Sequence, residues 1–189
     1  MPNPTLLIVD VQAAFDDPGW GERNNPAAEM QIARLLAGWR SEGAPLIHVR
    51  HRGFGASLFV PNGPGFAFKP QARPRREEVV VEKTVNSAFI GTDLERLLRA
   101  ANASTLVVCG LTTDHCCSTT ARMAANLGFE TWFVSDATAT FARTGAAGEH
   151  FDADVIHRTA LASLAGEFAE IVSTDVALER LAWRAAEGA

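Results

Sequence analysis

Cysteine is scarce in this sequence of 189 residues, and the few cysteines lie close together. Cys109, Cys116 and Cys117 are the only three, and they all fall between positions 109 and 117. An odd number in so short a segment does not form the disulfide framework of a small secreted domain. We therefore expect reduced thiols and a cytoplasmic location.

Long apolar runs and basic tracts are also missing. No apolar stretch approaches the roughly 18 residues that a membrane-spanning helix needs, and residues 1–4 lack the basic region that opens a signal peptide. Lys and Arg number 17 against 22 Asp and Glu, so the formal net charge is −5. The positive surface that binds nucleic acid is therefore not expected. We expect neither a membrane nor a nucleic-acid partner.

Apolar runs rich in β-branched residues alternate with amphipathic segments along the whole chain. Such runs are typical of buried parallel strands, and the segments between them have helical spacing. The predicted strands are residues 6–9, 45–49, 79–81, 106–109, 132–134 and 170–172, and the predicted helices 27–39, 92–101, 116–127, 151–164 and 176–186. This alternation predicts a single α/β domain over 1–189, with a doubly wound six-stranded parallel sheet in the order 3-2-1-4-5-6 and helices on both faces.

One segment departs from the alternation. Residues 51–74 contain four Gly, four Pro and four Phe without a strand or helix pattern. A long irregular segment in a compact domain is usually functional, and this one is too apolar for a solvated linker. It is expected to form an active-site wall, a subunit interface or both. Because Phe54–Phe68 would otherwise expose a large apolar patch, we expect a homodimer or homotetramer.

Three residues with reactive side chains follow three of the predicted strands. Asp10 comes at the end of the first strand, Lys83 at the end of the third, and Cys116 just past the fourth. Open parallel sheets bind ligands at the carboxyl ends of the strands, where the strand order reverses. The assumed order puts that reversal between strands one and four, so we expect these side chains to meet in one crevice.

A carboxylate, an ammonium and a thiol in one crevice suit nucleophilic catalysis. Cys116 is predicted to open a helix, whose dipole, together with Lys83, would favour the thiolate. Asp10 could take the thiol proton and return it to a leaving amine, while the backbone N–H groups of Thr112 and Cys116 could hold an oxyanion. Singly, Asp10 and Lys83 are better explained as a turn former and a surface charge. Together they favour catalysis.

The sequence resembles the isochorismatase-like cysteine hydrolases over nearly its whole length. The most specific stretches are 83–92 (KTVNSAFIGT) and 109–117 (CGLTTDHCC), and 135–141 (SDATATF) also looks like a family signature. The similarity extends from 6–12 (LLIVDVQ) to 161–168 (LASLAGEF). It implies a six-stranded parallel sheet flanked by helices.

The resemblance also implies a chemistry. It assigns an Asp–Lys–Cys triad to Asp10, Lys83 and Cys116, and the cleavage of C–N bonds in small amides, ureides or lactams. It further implies a cis peptide bond between Leu111 and Thr112. The substrate is expected to be a small molecule, but its identity does not follow from the sequence.

Substrate recognition is expected from the 51–74 loop and from polar and aromatic residues near the strand ends. These residues are Gln12, Phe15, Asn86, Phe89 and His115. Arg50, Arg52 and Arg143 could meet an anionic group on the substrate. Cys109, inside a strand, and Cys117, at a position where the family usually has an apolar residue, are expected to be packing residues.

A metal site is not expected. Nicotinamidases of the family bind a metal through an Asp-x-His pair after the second strand, whereas residues 48–52 here read His-Val-Arg-His-Arg. His48 and His51 should point to opposite faces of a strand. His150, Asp154 and His157 could share one helix face, but a solvated or interfacial face is the simpler interpretation. We predict no metal and no cofactor.

Two functional alternatives remain open at this point. The founding isochorismatases cleave a vinyl ether and can lack the cysteine. A non-catalytic scaffold or thiol redox sensor could instead use Cys116 and Cys117 as a reactive pair. A nucleotide-binding Rossmann domain is disfavoured because no Gly-x-Gly-x-x-Gly follows the first strand.

Overall fold

A six-stranded parallel sheet forms the centre of the protein, whose computed structural model describes residues 3–188. Positions 1, 2 and 189 of the predicted domain lie outside the described residues. The eight strands are β1 (Thr5–Val9), β2 (Leu46–His51), β3 (Val79–Lys83), β4 (Thr105–Leu111), β5 (Glu130–Ala139), β6 (Arg143–Thr144), β7 (His150–Phe151) and β8 (Glu170–Val172). The order across the large sheet is β3-β2-β1-β4-β5-β8. Since β8 is its sixth strand, the predicted fold class and strand order are confirmed. β6 and β7 pair separately as a short antiparallel ribbon.

The two strands at the centre of the sheet are apolar on both faces. Every residue of β1 and every residue of β4 is buried. The edge strand β3 is different, because Val79 and Val80 are exposed. Covered strands of this kind require helices above and below the sheet.

Within residues 3–188, five α-helices supply that cover. They are α1 (Ala28–Ser41), α2 (Leu94–Ala100), α3 (Ser118–Asn126), α4 (Ala153–Leu164) and α5 (Thr174–Gly188). Ile32 and Trp39 of α1 share one apolar cluster with Leu181 of α5, on one face of the sheet. Leu94 of α2 and Ala121 of α3 belong to the cluster on the other face.

The predicted helix from 116 to 127 is divided differently in the structure. Residues Thr113–Cys117 form one π-helical turn, and α3 begins only at Ser118. Cys116 therefore lies inside a turn that leads into the helix, and it is not the first residue of the helix. Among the other helices, the observed bounds differ from the predicted ones by one or two residues, which is usual for helix ends.

The 51–74 segment folds back on its own chain. It contains two short 3-10 turns, Pro64–Phe66 and Pro70–Ala72. The Lys69 N–H donates to the Val11 carbonyl, and the buried Lys69 ammonium contacts both Asp16 and Glu29. These contacts fix the loop beside the end of β1.

Only part of the apolar surface of this loop faces outward. Phe54 is 70% exposed and Leu58 is 42% exposed, whereas Phe59 is buried. The guanidinium of Arg50 lies 4.0 Å from the ring centroid of Phe66 and covers it. The predicted homo-oligomer therefore depends on a smaller apolar surface than the composition indicates, and it stays a prediction.

No helix within residues 3–188 is both long enough and apolar enough to cross a membrane.

Candidate active site

The site forms where the carboxyl ends of four neighbouring strands, β3, β2, β1 and β4, meet. Val9, the last residue of β1, pairs with Val49 of β2 and with Gly110 of β4. His51 and Lys83, the last residues of β2 and β3, lie opposite each other in register. Parallel pairing thus brings residues that are far apart in the sequence to one edge of the sheet.

The backbone at the end of β1 turns sharply and places Asp10 in the crevice. Asp10 has a φ of +51°, in the left-handed region that Asp tolerates better than most residues. Gly110 of β4 lies very close to the end of β1. A side chain there would clash, because a Cβ on Gly110 would lie 2.0 Å from the Val9 carbonyl oxygen. Non-glycine residues in this conformation cluster at functional sites.

Lys83 connects the other members of the site. Its Nζ lies 2.5 Å from Asp10 Oδ2, 3.3 Å from Cys116 Sγ and 3.2 Å from His51 Nδ1. Asp10 and Lys83 are almost completely buried, and Cys116 is 9% exposed. The structure therefore brings together the three residues predicted to form the triad and adds His51 to them.

The carboxylate of Asp10 contacts both Lys83 and Cys116. Its Oδ2 forms an ion pair with Lys83, and Lys83 and Cys116 both act on the carboxylate as side-chain hydrogen-bond donors. Burial raises the pKa of Asp10 above its ordinary value, although the charge of Lys83 opposes the shift. A buried carboxylate in contact with a thiol is suited to accept its proton.

The prediction that Lys83 favours the Cys116 thiolate holds for Lys83 itself, which lowers the pKa of the thiol, but the other surroundings of Cys116 outweigh this effect. Burial, together with the negative charge of Asp10, raises the pKa of Cys116 to about 12. Burial would lower the pKa of Lys83, but Asp10 and Cys116 outweigh it and raise that pKa. The single ammonium of Lys83 therefore lies beside two acidic groups, the Asp10 carboxyl and the Cys116 thiol, and its charge does not suffice to keep both ionised.

A small cavity opens onto Cys116. Its volume is about 150 Å³, and polar residues from the strand ends meet aromatic residues from the loops there. The lining residues are Asp10, Phe15, Trp20, His51, Phe59, Asn86, Thr112, His115 and Cys116. The Phe15 ring centroid lies 5.2 Å from that of Trp20 and 5.1 Å from that of Phe59. One wall of the cavity is thus a continuous aromatic surface.

Two of the residues predicted to contact substrate lie elsewhere. Gln12 is fully buried, and its side chain bonds to both backbone groups of His51 and to the Phe66 carbonyl, so it fixes the loop. Phe89 belongs to the apolar core and stacks on Phe129. Phe15, Asn86 and His115 do line the cavity, as predicted.

Three lining residues were not singled out individually, although His51 and Phe59 belong to the 51–74 segment that was expected to form an active-site wall. The place of His51 at the end of β2 is a signal that it reaches the same sheet edge as Lys83. Trp20 lies in the 3-10 turn Pro18–Trp20, and Phe59 lies in the 51–74 loop. Neither segment has a periodicity that would indicate which way its side chains face.

Thr112 lies at the floor of the cavity, directly after β4. The peptide bond between Leu111 and Thr112 is cis. Among the described backbone hydrogen bonds outside the regular elements, none is donated by the Thr112 N–H. That N–H remains a candidate donor to an oxyanion.

The three arginines considered for an anionic substrate group are paired with carboxylates of the protein. Arg50 and Arg52 both contact Glu82. Arg143 contacts Asp114 at 3.2 Å with two guanidinium nitrogens. None of the three lines the cavity.

A cluster of metal-ligand types coincides with the site. One ligand atom each from Asp10, His51 and Cys116 lies within 4.8 Å of the others. The Lys83 ammonium contacts all three of these residues, so a positive charge already occupies their midst. This donor set therefore does not fit a cation without displacement of Lys83.

His150, Asp154 and His157 do not share a helix face, because His150 lies in β7 and not in α4, and they form no metal-ligand cluster within residues 3–188. His150 is exposed and pairs with Asp152, whereas His157 is buried and bonds to Thr113 Oγ1 at 2.9 Å. Cys109 and Cys117 are fully buried in the apolar clusters on opposite faces of the sheet. Neither thiol lines the cavity, so a substrate bound beside Cys116 does not reach them.

The chain is similar to known proteins of one family. Residues 4–176 match the family described as the isochorismatase domain. The chain is 50% identical over 171 residues to the uncharacterized isochorismatase family protein YrdC of Bacillus subtilis, covering 90% of this chain and 91% of that protein. It is 31% identical over 152 residues to the maleamate amidohydrolase of Pseudomonas putida, covering 70% of each. A crystal structure of an isochorismatase-family hydrolase from Chromobacterium violaceum superimposes with a TM-score of 0.93, at 45% identity and 95% and 94% coverage.

Proposed function

This chain belongs to the isochorismatase family of hydrolases, and on that premise we propose that it cleaves the C–N bond of a small amide, ureide or lactam through an acyl-enzyme on Cys116. The observation that carries the proposal is the contact of one buried ammonium, Lys83, with both Asp10 and Cys116 at the floor of an open cavity. This arrangement supplies a nucleophile, a base and a fixed cation.

Acylation uses the proton that Cys116 holds in the resting protein. As Sγ attacks the carbonyl carbon, its proton passes to the Asp10 carboxylate, and the carbonyl oxygen becomes an oxyanion that the Thr112 N–H can receive. Lys83 stabilises the negative charge that develops on sulfur. When the C–N bond breaks, Asp10 returns the proton to the departing nitrogen, which leaves a thioester on Cys116 and an ionised Asp10.

Deacylation repeats the sequence with water. Asp10 takes one proton from the water as its oxygen attacks the thioester carbonyl, and the C–S bond then breaks. The same proton returns to sulfur, so the products are a carboxylic acid and the starting thiol. A carboxylate with a raised pKa suits both directions of this transfer.

The cavity favours a compact and uncharged substrate. Its volume of about 150 Å³ limits size, and its aromatic wall favours a flat or apolar flank. Lys83 is engaged by its own partners, and the arginines near the site are paired with Glu82 and Asp114. A carboxylate on the substrate would therefore meet no unpaired cation in the cavity.

A relative supports C–N cleavage over vinyl-ether cleavage. The maleamate amidohydrolase that is 31% identical to this chain is named for the hydrolysis of an amide. A cysteine at the cavity floor also has a use in acyl transfer that vinyl-ether hydrolysis does not require. The redox-sensor alternative is less well supported, because Cys117 points into the apolar core and away from the cavity that Cys116 lines.

A panel of small amides, ureides and lactams tests the proposal, with ammonia release measured for the amides and ureides and the ring-opened amino acid measured for the lactams. We expect turnover of at least one uncharged member, lost in Cys116→Ala and kept in Cys117→Ala. Cleavage of isochorismate with no amide turnover would contradict the proposal. Oxidation of Cys116 by peroxide, again with no amide turnover, would favour the sensor.

A further inference from the structure

His51 occupies a position that the three-residue mechanism does not use. An ammonium has three N–H donors and no acceptor, and Lys83 Nζ has three neighbours within reach: Asp10 Oδ2, Cys116 Sγ and His51 Nδ1. The His51 imidazole is thus the third contact of the Lys83 ammonium, which also contacts Asp10 and Cys116.

This contact fixes the proton of the imidazole. Because Lys83 can only donate, Nδ1 must be the acceptor and cannot carry a proton. Burial and the charge of Lys83 lower the pKa of His51, so the ring is neutral. A neutral ring with a bare Nδ1 carries its proton on Nε2.

The other side of the His51 ring faces the cavity. His51 lines the cavity, and its ring packs edge-on against Phe59 with centroids 5.2 Å apart. Within the described residues no protein group bonds to Nε2, and this atom is not among the buried atoms without a partner. The Nε2–H donor is therefore available to a molecule in the cavity.

We propose that His51 is a fourth functional residue with two separable roles, which rests on the function proposed above. Nδ1 positions the Lys83 ammonium between Asp10 and Cys116. Nε2–H binds a hydrogen-bond acceptor on the substrate, next to the scissile carbonyl. The charged and titratable groups that face the ring are Lys83 from β3, Asp10 from the end of β1 and Cys116 from the turn before α3.

Two substitutions separate the roles. Asn places an amide oxygen at the position of Nδ1 and nothing at the position of Nε2, whereas Gln places its amide near Nε2 and leaves the Nδ1 position empty. His51→Asn should therefore keep the contact with Lys83 and lose the substrate contact. His51→Gln should do the reverse.

Both readouts avoid turnover, so they stay informative if the proposed function fails. The first is the rate of Cys116 alkylation by iodoacetamide across pH. We expect His51→Asn to stay within about twofold of the parent and His51→Gln to change by about threefold or more. The second is the Kd of benzamide measured in a Cys116→Ala background. There we expect His51→Asn to weaken binding about tenfold, in line with one lost hydrogen bond, and His51→Gln to stay within about threefold.

The proposal is tested by whether His51→Asn and His51→Gln have opposite effects on the alkylation rate and on benzamide binding. A purely structural histidine would give equal effects of Asn and Gln on both readouts, and that result would overturn it. No change in either readout would also overturn it, as would a failure of Cys116→Ala to bind benzamide. The parent protein could turn over no amide while His51→Asn and His51→Gln still differ as predicted in both readouts. That result would count against the proposed function and not against the roles of His51.

Discussion

Lys83 Nζ lies 2.5 Å from Asp10 Oδ2, and both side chains are closed off from solvent. The two residues are more than seventy positions apart in the sequence, and parallel pairing of β1, β2 and β3 brings them together. Removal of one partner of a buried ion pair leaves an uncompensated charge and costs roughly 3–5 kcal/mol. The pair is therefore part of the scaffold as well as of the chemistry.

The charge of Asp10 should control the acidity of Cys116. Asp10→Asn removes the negative charge that helps to raise the pKa of Cys116 to about 12, while Lys83 remains. The pKa of Cys116 should therefore fall, and the pH profile of its alkylation by iodoacetamide should move to lower pH. Amide turnover should fall by about 10²–10⁴-fold, because the general base is lost. The exposed Asp93→Asn is the matched control, and an unchanged or higher alkylation pKa in Asp10→Asn would refute this electrostatic account.

An uncharged amide should be a better substrate than an amide of the same size that carries a carboxylate. Succinamate and 4-oxopentanamide have nearly the same size, but only succinamate carries a carboxylate. Because the cavity offers an aromatic wall and no unpaired cation, kcat/KM should favour 4-oxopentanamide at least about tenfold. Initial-rate measurements on both amides check this. A preference for succinamate would show that a cation of the protein reaches the substrate.

Metal removal should leave the activity intact. The ligand atoms of Asp10, His51 and Cys116 surround an ammonium that already supplies positive charge. Prolonged dialysis against EDTA should therefore change kcat by less than about twofold. Activity that is lost on chelation and restored by zinc would mean that a metal displaces Lys83 from this position.

The ion pairs beneath the 51–74 loop should make stability depend on acid pH. Glu29 contacts Arg23 and Lys69, and although burial opposes the shift, these contacts lower its pKa to about 2. Since the folded pKa lies below the ordinary value of 4.5, this stabilisation is complete above pH 4.5 and is lost as the pH falls towards 2.

Glu29→Gln should remove that dependence. Its melting temperature should fall less than that of the parent between pH 5 and pH 3, and it should already be lower at pH 7. Glu42→Gln, at an exposed position, is the control and should follow the parent. Equal slopes for all three proteins would show that the Glu29 contacts do not contribute.

The sheet and the catalytic side chains could be predicted because they follow from local periodicity and topology. Continuous apolar runs indicate buried parallel strands, and strand ends meet at one edge, which is how Asp10, Lys83 and Cys116 were placed together. The helix at Cys116 was predicted to begin two residues early, at 116 and not at Ser118, because an isolated π turn has no distinct sequence pattern. Lys83 lowers the pKa of Cys116 as expected, but the net shift is upward because burial and the nearby Asp10 outweigh Lys83, and the strength of these effects cannot be measured from sequence.

The individual wall residues of the cavity could not be predicted in the same way, although the 51–74 segment was expected to form part of the wall. Trp20 and Phe59 lie in segments without repeating backbone geometry, so nothing local indicates where their side chains point. Gln12 and Phe89 come shortly after strands that reach the site, yet one bonds to the loop backbone and the other enters the core. Tertiary contacts decide the orientation of such residues.

Covalent trapping on Cys116 tests the central claim most directly. The protein is quenched in acid during turnover of an amide found in the ammonia-release screen, and its intact mass and peptide map are then determined. The account predicts an acyl adduct on the peptide that carries Cys116 and Cys117, located at Cys116 by fragmentation, and absent from Cys116→Ala. An adduct on Cys117, or steady amide turnover by Cys116→Ala, would contradict it.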